Sequence, residues 1–321
     1  MFTKNLKTIL FTGLMLASVS FISCSDDDTP VVEQPKNIVE LASATPDLSS
    51  LVAAVQKAGL VDVLSADGAL TVFAPTNAAF QALLDSNNDW NSLDDIPTDV
   101  LMNVLKFHVL GQKVTSGDLS DSYVNTLGVG PNDESLSLQI ETTGAIEFNG
   151  DAKPVTVNIE ASNGIIHIID KVMLPPNVVS TAINNSNFST LVAALTDSRH
   201  TTDFVSVLNG DGPFTIFAPT NEAFQALLDS NADWNGLADI PIETLDAVLK
   251  YHVVNAANVQ SKQLQNNQEI TMLSTGKVTV DLTNGAKLKT SSDQTVSITA
   301  TDVQGSNGVI HVVNTVLLPS M

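Results

Sequence analysis

The chain of 321 residues carries 35 acidic and 14 basic side chains, which gives a net charge of −21 at pH 7. This charge repels nucleic acid phosphates and anionic lipid headgroups, so it excludes nucleic acid as a partner and a basic patch as a membrane anchor. A single cysteine rules out an intramolecular disulfide, and the length suffices for two domains that each bury a core.

The first 23 residues have the pattern of a lipoprotein signal peptide. Lys4 and Lys7 precede an apolar run that is too short to span a bilayer and that ends in small residues before Cys24. Cys24 stands where bacterial lipoproteins carry their lipid-attachment cysteine, which predicts lipidation there; an ordinary cleaved signal is the alternative. Removal of residues 1–23 would take away two lysines and no acid, so the net charge would change from −21 to −23.

An acidic run follows the cysteine directly, at residues 26–28. Such a run is similar to the signal that sends some Gram-negative lipoproteins to the outer face of the outer membrane, although a solvated linker would carry the same charges. We therefore expect an exported protein that is lipid-anchored to the outer membrane and exposed at the cell surface. Residues 24–36, with Pro30 and Pro35 among polar residues, are predicted to be an extended tether.

The remainder of the chain is a duplication. Three segments recur at one spacing of 144 residues, which predicts two copies of one domain-sized unit. The paired segments are 71–77 with 215–221, 106–109 with 250–253, and 163–170 with 307–314.

We expect domain 1 over residues 37–176 and domain 2 over residues 177–321. The two expected domains meet at Pro175 and Pro176. Because proline restricts its own backbone and that of the preceding residue, the domains should lie close together and be connected semi-rigidly.

Each copy shows helical patterns first and strand patterns later. Apolar spacings of three and four predict a helix over residues 48–55, and a short apolar run predicts a buried strand over residues 70–74. A proline ends that strand, and the next two residues can cap the free amides of a new helix. Those residues are Thr76 and Asn77 in the first copy and Thr220 and Asn221 in the second.

The later part of each copy alternates between apolar and polar residues. Val155, Val157 and Ile159 are predicted to lie on one face of a strand, with polar residues on the other. Asn163-Gly164 and Asn307-Gly308 are predicted turns, because both residue types tolerate a positive φ. Helices followed by strands indicate an α+β domain with a largely antiparallel sheet or sandwich.

The repeated segments closely resemble the signature segments of the fasciclin-like domain, in the same order, twice, over residues 37–320. The resemblance implies an α+β fold of two tandem fasciclin-like domains, each a wedge-shaped, β-sandwich-like sheet core packed with helices. It also implies an extracellular module of the kind that mediates adhesion to cells, matrix proteins or glycans. The residues that match its motifs, which we expect to be structural, are Thr76, Asn77, His108, Asn163, Gly164, His167, Thr220, Asn221, Tyr251, His252, Asn307, Gly308 and His311. Phe107 replaces the tyrosine of the family pattern in the first copy, so the hydrogen bond of that hydroxyl should be absent from domain 1.

Four of the five histidines lie in repeated apolar surroundings, and the fifth, His200, lies in a four-residue insertion of the second copy. A hydrolase would need a serine and a carboxylate beside these rings, for example Ser162 or Ser306 with Asp170. Asn314 replaces Asp170 in the second copy, and neither serine has a nucleophile-elbow sequence. We expect each ring to connect the core to a hydrogen bond, and we expect no enzyme activity, no metal site and no cofactor.

Two pairs and two tryptophans are candidate partner-binding residues. Animal integrin-binding fasciclin domains use an Asp-Ile pair near a helix, which Asp95-Ile96 and Asp239-Ile240 match superficially; a role in the loop before a helix is the alternative. Trp90 and Trp234 follow polar stretches. A tryptophan there can stack on a sugar or anchor a partner, or can fold back over the edge of the core.

These observations predict a surface-exposed, lipid-anchored binding protein whose two modules bind an extracellular protein or glycan. Two similar modules on one chain raise the local concentration for a repetitive partner. The alternative is a carrier of a small apolar ligand such as a pigment or lipid, which requires an apolar cavity between sheet and helices.

Overall fold

A computed structural model describes residues 34–320 of the chain. The predicted signal peptide and Cys24 lie outside the described residues. Residues Pro35–Met321 form one compact unit. Within the described residues, the segments before and after Pro176 repeat one order of elements, and they are called domain 1 and domain 2 below.

Domain 1 contains the helices α1 (Ile38–Ala44), α2 (Ser49–Lys57), α3 (Val61–Ser65), α4 (Asn77–Asp85) and α5 (Thr98–Phe107). Its strands are β1 (Leu70–Pro75), β2 (Val109–Leu110), β3 (Ser122–Val129), β4 (Ser135–Glu141), β5 (Glu147–Phe148), β6 (Pro154–Ala161) and β7 (Gly164–Ile169). The helix and strand predicted over residues 48–55 and 70–74 are confirmed as α2 and β1, although residues Pro46–Leu48 form a separate 3-10 turn.

Domain 2 contains the helices α6 (Val178–Asn184), α7 (Ser189–Leu195), α8 (Phe204–Leu208), α9 (Asn221–Asp229) and α10 (Ile242–Lys250). Its strands are β8 (Phe214–Pro219), β9 (Val253–Asn255), β10 (Glu269–Thr271), β11 (Lys277–Asp281), β12 (Lys287–Thr290), β13 (Thr295–Gly305) and β14 (Gly308–Val313).

The predicted α+β fold class is confirmed. In domain 1 the strand orders are β2-β1-β7-β6 in one sheet and β3-β4-β5 in another, whereas β12 pairs with β13 in domain 2 and joins the strands into one order, β10-β11-β12-β13-β14-β8-β9. Most neighbouring strands are antiparallel, but the central pairs β1-β7 and β8-β14 are parallel.

Strands β1 and β8 are buried on both faces, which places the core in two layers per domain. In β1, Val72 and Ala74 pack under the helices, while Phe73 points to the layer between the two sheets. In β8, Ile216 and Ala218 pack under the helices, while Phe217 lies in the second cluster on the other face. A parallel pair covered on both faces explains why these strands are continuous apolar runs.

The prediction for β6 is wrong in one respect. Val155 and Val157 are 60% and 36% exposed, whereas Ile159 packs against the helical core, so the three side chains do not share one face. Asn158 adopts a positive φ of 61° within a bulge of the β6-β7 pairing, which breaks the alternation before Ile159.

The two domains contact each other through polar groups of the β3-β4-β5 sheet. The Ser137 hydroxyl on β4 accepts a hydrogen bond from the Gln304 backbone N–H at 2.9 Å and donates to the Asp302 carbonyl at 3.4 Å. The Asn185 amide donates to the Tyr123 hydroxyl at 2.8 Å, and burial raises the pKa of that hydroxyl to about 12. These contacts agree with the expectation of closely held domains.

Among residues 34–320, no single helix is both long and apolar enough to cross a membrane. The segments Ile38–Ala44 and Pro46–Lys57, which meet at a bend of 110°, would together satisfy the requirement by length and composition.

Gly130 provides a test of the contact between the domains. A Cβ atom there would lie 2.7 Å from the Gly305 carbonyl oxygen of domain 2, so we expect Gly130→Ala to lower the free energy of unfolding by about 1–3 kcal/mol. We also expect a larger radius of gyration in X-ray scattering, because the domains must separate locally. Gly236→Ala, where nothing lies within 4 Å of the added atom, is the control. Equal behaviour of the two variants would contradict close packing at this contact.

Candidate functional site

Asn163 connects three elements of domain 1 through one buried carboxamide. It lies in the two-residue turn between β6 and β7, where its Oδ1 accepts from the Ile38 N–H of α1 at 3.0 Å. Its Nδ2 donates to the Leu64 and Ala66 carbonyls at the end of α3, at 2.8 and 2.9 Å. Backbone groups at helix ends lack partners within the helix, so this side chain satisfies both a helix start and a helix end.

Asn307 makes the equivalent contacts in domain 2. Its Oδ1 accepts from the Val178 N–H at 2.9 Å, and its Nδ2 donates to the Leu208 and Gly210 carbonyls, each at 2.8 Å. We call this arrangement in the two domains the asparagine clamp.

The glycine after each clamp residue is required by the close approach of a neighbouring strand, and not by the positive φ of a turn that we expected. The predicted turns are present, but Gly164 is the first residue of β7, with a φ of 158°, and neither Asn163 nor Asn307 has a positive φ. A Cβ at Gly164 would lie 2.1 Å from the Leu70 carbonyl oxygen, and one at Gly308 would lie 2.3 Å from that of Phe214. Close approach of the parallel neighbour strand excludes any side chain there.

His108 and His252 are buried supports with a fixed tautomer. In domain 1, Nδ1 of His108 lies 2.8 Å from the Val104 carbonyl, and Nε2 accepts from the Met173 N–H at 2.9 Å. His252 repeats this between the Val248 carbonyl, at 2.7 Å, and the Leu317 N–H, at 2.9 Å. A ring that donates from Nδ1 and accepts at Nε2 is neutral, and burial lowers the pKa of each ring from 6.5 to about 4.

His167 and His311 also form hydrogen bonds and ring contacts within their own domains. Nε2 lies 2.9 Å from the Val114 carbonyl in His167 and 2.8 Å from the Val259 carbonyl in His311. Each ring stacks on a core phenylalanine, Phe73 or Phe217, at a centroid distance of 5.6 Å. Burial lowers the pKa of both rings.

The threonine and asparagine of the repeated segments start helices. The Thr76 hydroxyl accepts from the Ala79 N–H at 3.1 Å, while Asn77 Oδ1 accepts from the Ser50 N–H at 2.8 Å and ties α4 to α2. Thr220 and Asn221 make the equivalent bonds in domain 2.

Domain 2 has Tyr251 where domain 1 has Phe107, and the structure shows what the additional hydroxyl does. Its hydroxyl donates to the Lys277 carbonyl at 2.5 Å and accepts from the Ser291 N–H at 3.2 Å, which ties α10 to the β10-β11-β12 part of the sheet. Phe107 is equally buried but has no hydroxyl to make this bond.

The structure does not bring the considered catalytic groups together. Asp170 accepts from the Lys153 N–H at 2.7 Å. The four repeated rings bond backbone groups through both nitrogens, at distances between 2.7 and 3.4 Å. In the part of the chain from residue 34 to 320, no group of three His, Cys, Asp or Glu residues could hold a metal ion.

Sequence reasoning missed one buried contact of domain 2. Nδ1 of His200 bonds the Asp246 carboxylate, and Nε2 lies 2.7 Å from the Ala194 carbonyl. Met102 occupies the position of Asp246 in the first copy. His200 and Asp246 are thus both specific to the second copy, and this shared difference could have indicated that they form a pair.

The two Asp-Ile pairs lie in short 3-10 turns before α5 and α10. Ile96 and Ile240 are only 3% and 2% exposed. Asp95 accepts from the Asn91 and Ser92 N–H groups, which lower the pKa of its carboxyl group, and Asp239 accepts from Asn235 and Gly236. This placement supports the alternative role at the start of a helix, and an adhesive role of the pairs stays a proposal.

Trp90 and Trp234 are half-buried and pack against the helical core of their own domain. Each follows the turn at the end of a helix, α4 or α9, with its backbone N–H bonded to the Asn87 or Asn231 carbonyl at 3.0 Å. One part of each ring therefore supports the core, and the remainder is accessible.

Each domain contains an apolar cavity between helices and sheet, as a ligand carrier would require. The cavity beside His108 has a volume of about 30 Å³ and the one beside His252 about 20 Å³. Such volumes hold one or two water molecules and are too small for a pigment or an acyl chain.

The family model of the fasciclin domain matches residues 46–175 and 186–319. The chain therefore belongs to the fasciclin domain family.

Several proteins resemble the chain over one or both domains. It is 40% identical over 139 residues to Protein sll1483 of Synechocystis sp., which covers 43% of this chain and 73% of that protein. It is 29% identical to the transforming growth factor-beta-induced protein ig-h3 of Sus scrofa over 99% of this chain, but spans only 43% of that protein's length. The structure of a FAS1 domain pair from the insect cell adhesion molecule Fasciclin I covers 85% of this chain and 97% of its own, with a TM-score of 0.51 and 17% identity, so it shares the fold.

The asparagine clamp can be tested by an isosteric change. Asn307→Asp replaces the NH₂ that serves the Leu208 and Gly210 carbonyls by an oxygen, so three acceptors would face one another in the buried site. We expect the free energy of unfolding to fall by about 2–4 kcal/mol in denaturant titrations. Asn266→Asp is the matched control. The exposed Asn266 side chain accepts a hydrogen bond through Oδ1 from the Leu282 N–H at 2.9 Å, and aspartate keeps that acceptor. Similar losses in both variants would argue against the clamp.

The buried imidazoles predict a loss of stability in mild acid. The unfolded rings titrate near 6.5 and the folded rings of His108 and His252 near 4, so the unfolded chain binds more protons between these values. The free energy of unfolding therefore falls as the pH falls from 6.5 to about 4, by up to about 1.4 kcal/mol per pH unit and ring.

His252→Gln removes one of these rings, so we expect its loss between pH 7 and pH 4 to be roughly 3 kcal/mol smaller than that of the wild type. Tyr251→Phe is the control, since it removes a neighbouring hydrogen bond without removing a histidine. An unchanged pH dependence in His252→Gln would contradict the assignment of a buried neutral ring.

Proposed function

We propose that the chain is a cell-surface, lipid-anchored adhesion protein that binds extracellular protein or glycan partners through its two fasciclin domains. The observation that carries this proposal is the pair of family domains in one compact unit, with the fold of a domain pair from a cell adhesion molecule. Two modules held in contact present two surfaces in a fixed arrangement, which favours a partner with repeated features.

The chemistry of the motifs supports binding over turnover. The imidazole and carboxamide groups of the repeated segments are occupied by backbone hydrogen bonds, and the pKa values of the four repeated histidines are lowered by burial. Neutral, fully bonded rings are poor general bases because their acceptor nitrogen is already used. We propose that the chain has no enzyme activity of its own and needs no cofactor.

The proposed lipid attachment and the proposed location at the outer membrane are based on the sequence. Lipidation at Cys24, followed by acidic residues and a proline-bearing tether, would hold the two domains away from the outer membrane. The acidic domains would be repelled by anionic lipid, so the acyl chains alone would supply the attachment. Carriage of an apolar ligand is a weaker candidate, because the cavities of about 30 and 20 Å³ would have to expand greatly.

Intact cells that express the chain provide the test. We expect antibody labelling and protease shaving to reach the wild-type protein, and we expect cells to adhere to surfaces coated with matrix proteins or glycans. Cys24→Ser should abolish both surface labelling and adhesion, because no lipid can be attached, while the adjacent change Ser25→Ala should leave both intact. A wild-type protein that no antibody or protease reaches on intact cells would contradict the proposed location. Labelled cells that adhere to no coated surface would contradict the adhesive role.

A further inference from the structure

A groove on domain 2 opens beside Trp234, and we call it the Trp234 groove. It lies between the end of α9, the start of α10 and the C-terminal segment near Leu318, and its volume is about 360 Å³. This volume is within the range of about 300–1,000 Å³ that is usual for small-ligand sites. The buried side chains of Ile240 and Val248 form the floor, so the groove is shaped by the core and not by a loose loop.

The lining combines an aromatic ring with polar groups that have hydrogen-bonding capacity to spare. Within residues 34–320, the Trp234 indole N–H, the Thr244 hydroxyl and the Asn231 side-chain NH₂ have no hydrogen-bond partner. The Asn231 carboxamide is nevertheless held in place, because its Oδ1 accepts from the Asp233 N–H at 3.0 Å. The lining of the groove thus offers an indole N–H, a carboxamide NH₂ and a hydroxyl group as free donors.

Charge restricts the ligand. None of the residues that line the groove is charged, but Asp233 and Asp239 stand exposed beside it in the chain. An anionic ligand would be repelled by these carboxylates and by the net charge of the protein. An acyl chain would cover the polar groups without giving them partners, which costs free energy. A neutral ring with polarised C–H groups on one face and hydroxyl groups at its edge satisfies both conditions.

We propose that the Trp234 groove binds a neutral sugar ring of a glycan, with the ring face on the Trp234 indole and its hydroxyl groups bonded to Thr244 and Asn231. This inference rests on the proposed adhesive function and assigns part of it to one site in domain 2.

Domain 1 offers an internal comparison. It retains a tryptophan, Trp90, at the equivalent position, but Val100 replaces Thr244 and is 42% exposed. The hydroxyl that would bond a sugar is therefore absent from domain 1. The two domains divide the work, and domain 2 makes the sugar contact.

The two tryptophans of the chain make a clean titration possible. In a Trp90→Phe background, Trp234 is the sole indole, so its fluorescence reports directly on the groove. The probes are cellotetraose, mannotetraose, laminaritetraose and chitotetraose as neutral ligands, with tetragalacturonate as the anionic counterpart. We expect at least one neutral probe to change the emission saturably, with a dissociation constant in the millimolar range or below, and tetragalacturonate to cause no saturable change.

Thr244→Val tests the contact itself, since it reproduces the residue of domain 1 at nearly constant volume. We expect binding of that neutral probe to weaken about five- to tenfold, which corresponds to the loss of one hydrogen bond, with an unchanged unfolding midpoint. Thr201→Val, an exposed change outside the groove, is the control and should bind as the parent does. Calorimetric titration of the chain with both native tryptophans guards against an effect of the Trp90→Phe background.

The results separate this inference from the proposed function. No saturable response to any neutral probe, equal binding by Thr244→Val, or equal binding of tetragalacturonate would each overturn the sugar site. Cells that carry Thr244→Val and still adhere as the wild type does would leave the adhesive function intact without this groove. Wild-type cells that adhere to nothing would refute the adhesive function, while the fluorescence titration would still decide the groove.

Discussion

The carboxamide of Asn163, repeated in Asn307, is the interaction on which each domain depends most. Helices α1 and α3 are seven and five residues long, too short to be stable alone. Helix α1 begins and helix α3 ends at the turn between β6 and β7. One side chain accepts from the start of α1 and donates twice to the end of α3, so it fixes the helical layer on the sheet. The glycine that follows lets β7 come close to β1, and the parallel central pair forms around that approach.

The histidines also join separate elements through hydrogen bonds from one side chain to backbone groups. His108 and His252 join the end of α5 or α10 to the last segment of their domain, and His167 and His311 join the central strand to the loop after β2 or β9. In each case a ring with one donor and one acceptor nitrogen lies between backbone groups of matching polarity. Polar residues in an apolar core are tolerated here because every nitrogen has a partner.

Much of this architecture could be predicted from the sequence, because it is local or repeated. The duplication gave two copies of one order of elements, periodicity located α2 and β1, and the identities of Thr76 and Asn77 predicted a helix start. The common face of Val155, Val157 and Ile159 was predicted wrongly, since alternation assumes a regular strand and the pairing shifts between Thr156 and Ile159. The bulge at Asn158 has no periodic signal at all.

Long-range features of the site could not be predicted for a related reason. The Trp234 groove combines residues from α9, α10 and the chain's last residues, and the contact between the domains joins β4 to β13; neither is encoded in one segment. The replacement of Thr244 by Val100 is visible in the sequence, but it becomes meaningful only once Trp234 is seen to line the same groove.

The asparagine clamp also bears on how long the protein lasts. In a flexible chain, an Asn-Gly pair is the sequence most prone to spontaneous deamidation, because the glycine nitrogen can attack the side-chain carbonyl carbon and close a succinimide ring. Here the carboxamide is held by three hydrogen bonds, and the glycine is fixed as the first residue of a central strand. The geometry that assembles each domain thereby also protects its clamp asparagine from chemical ageing.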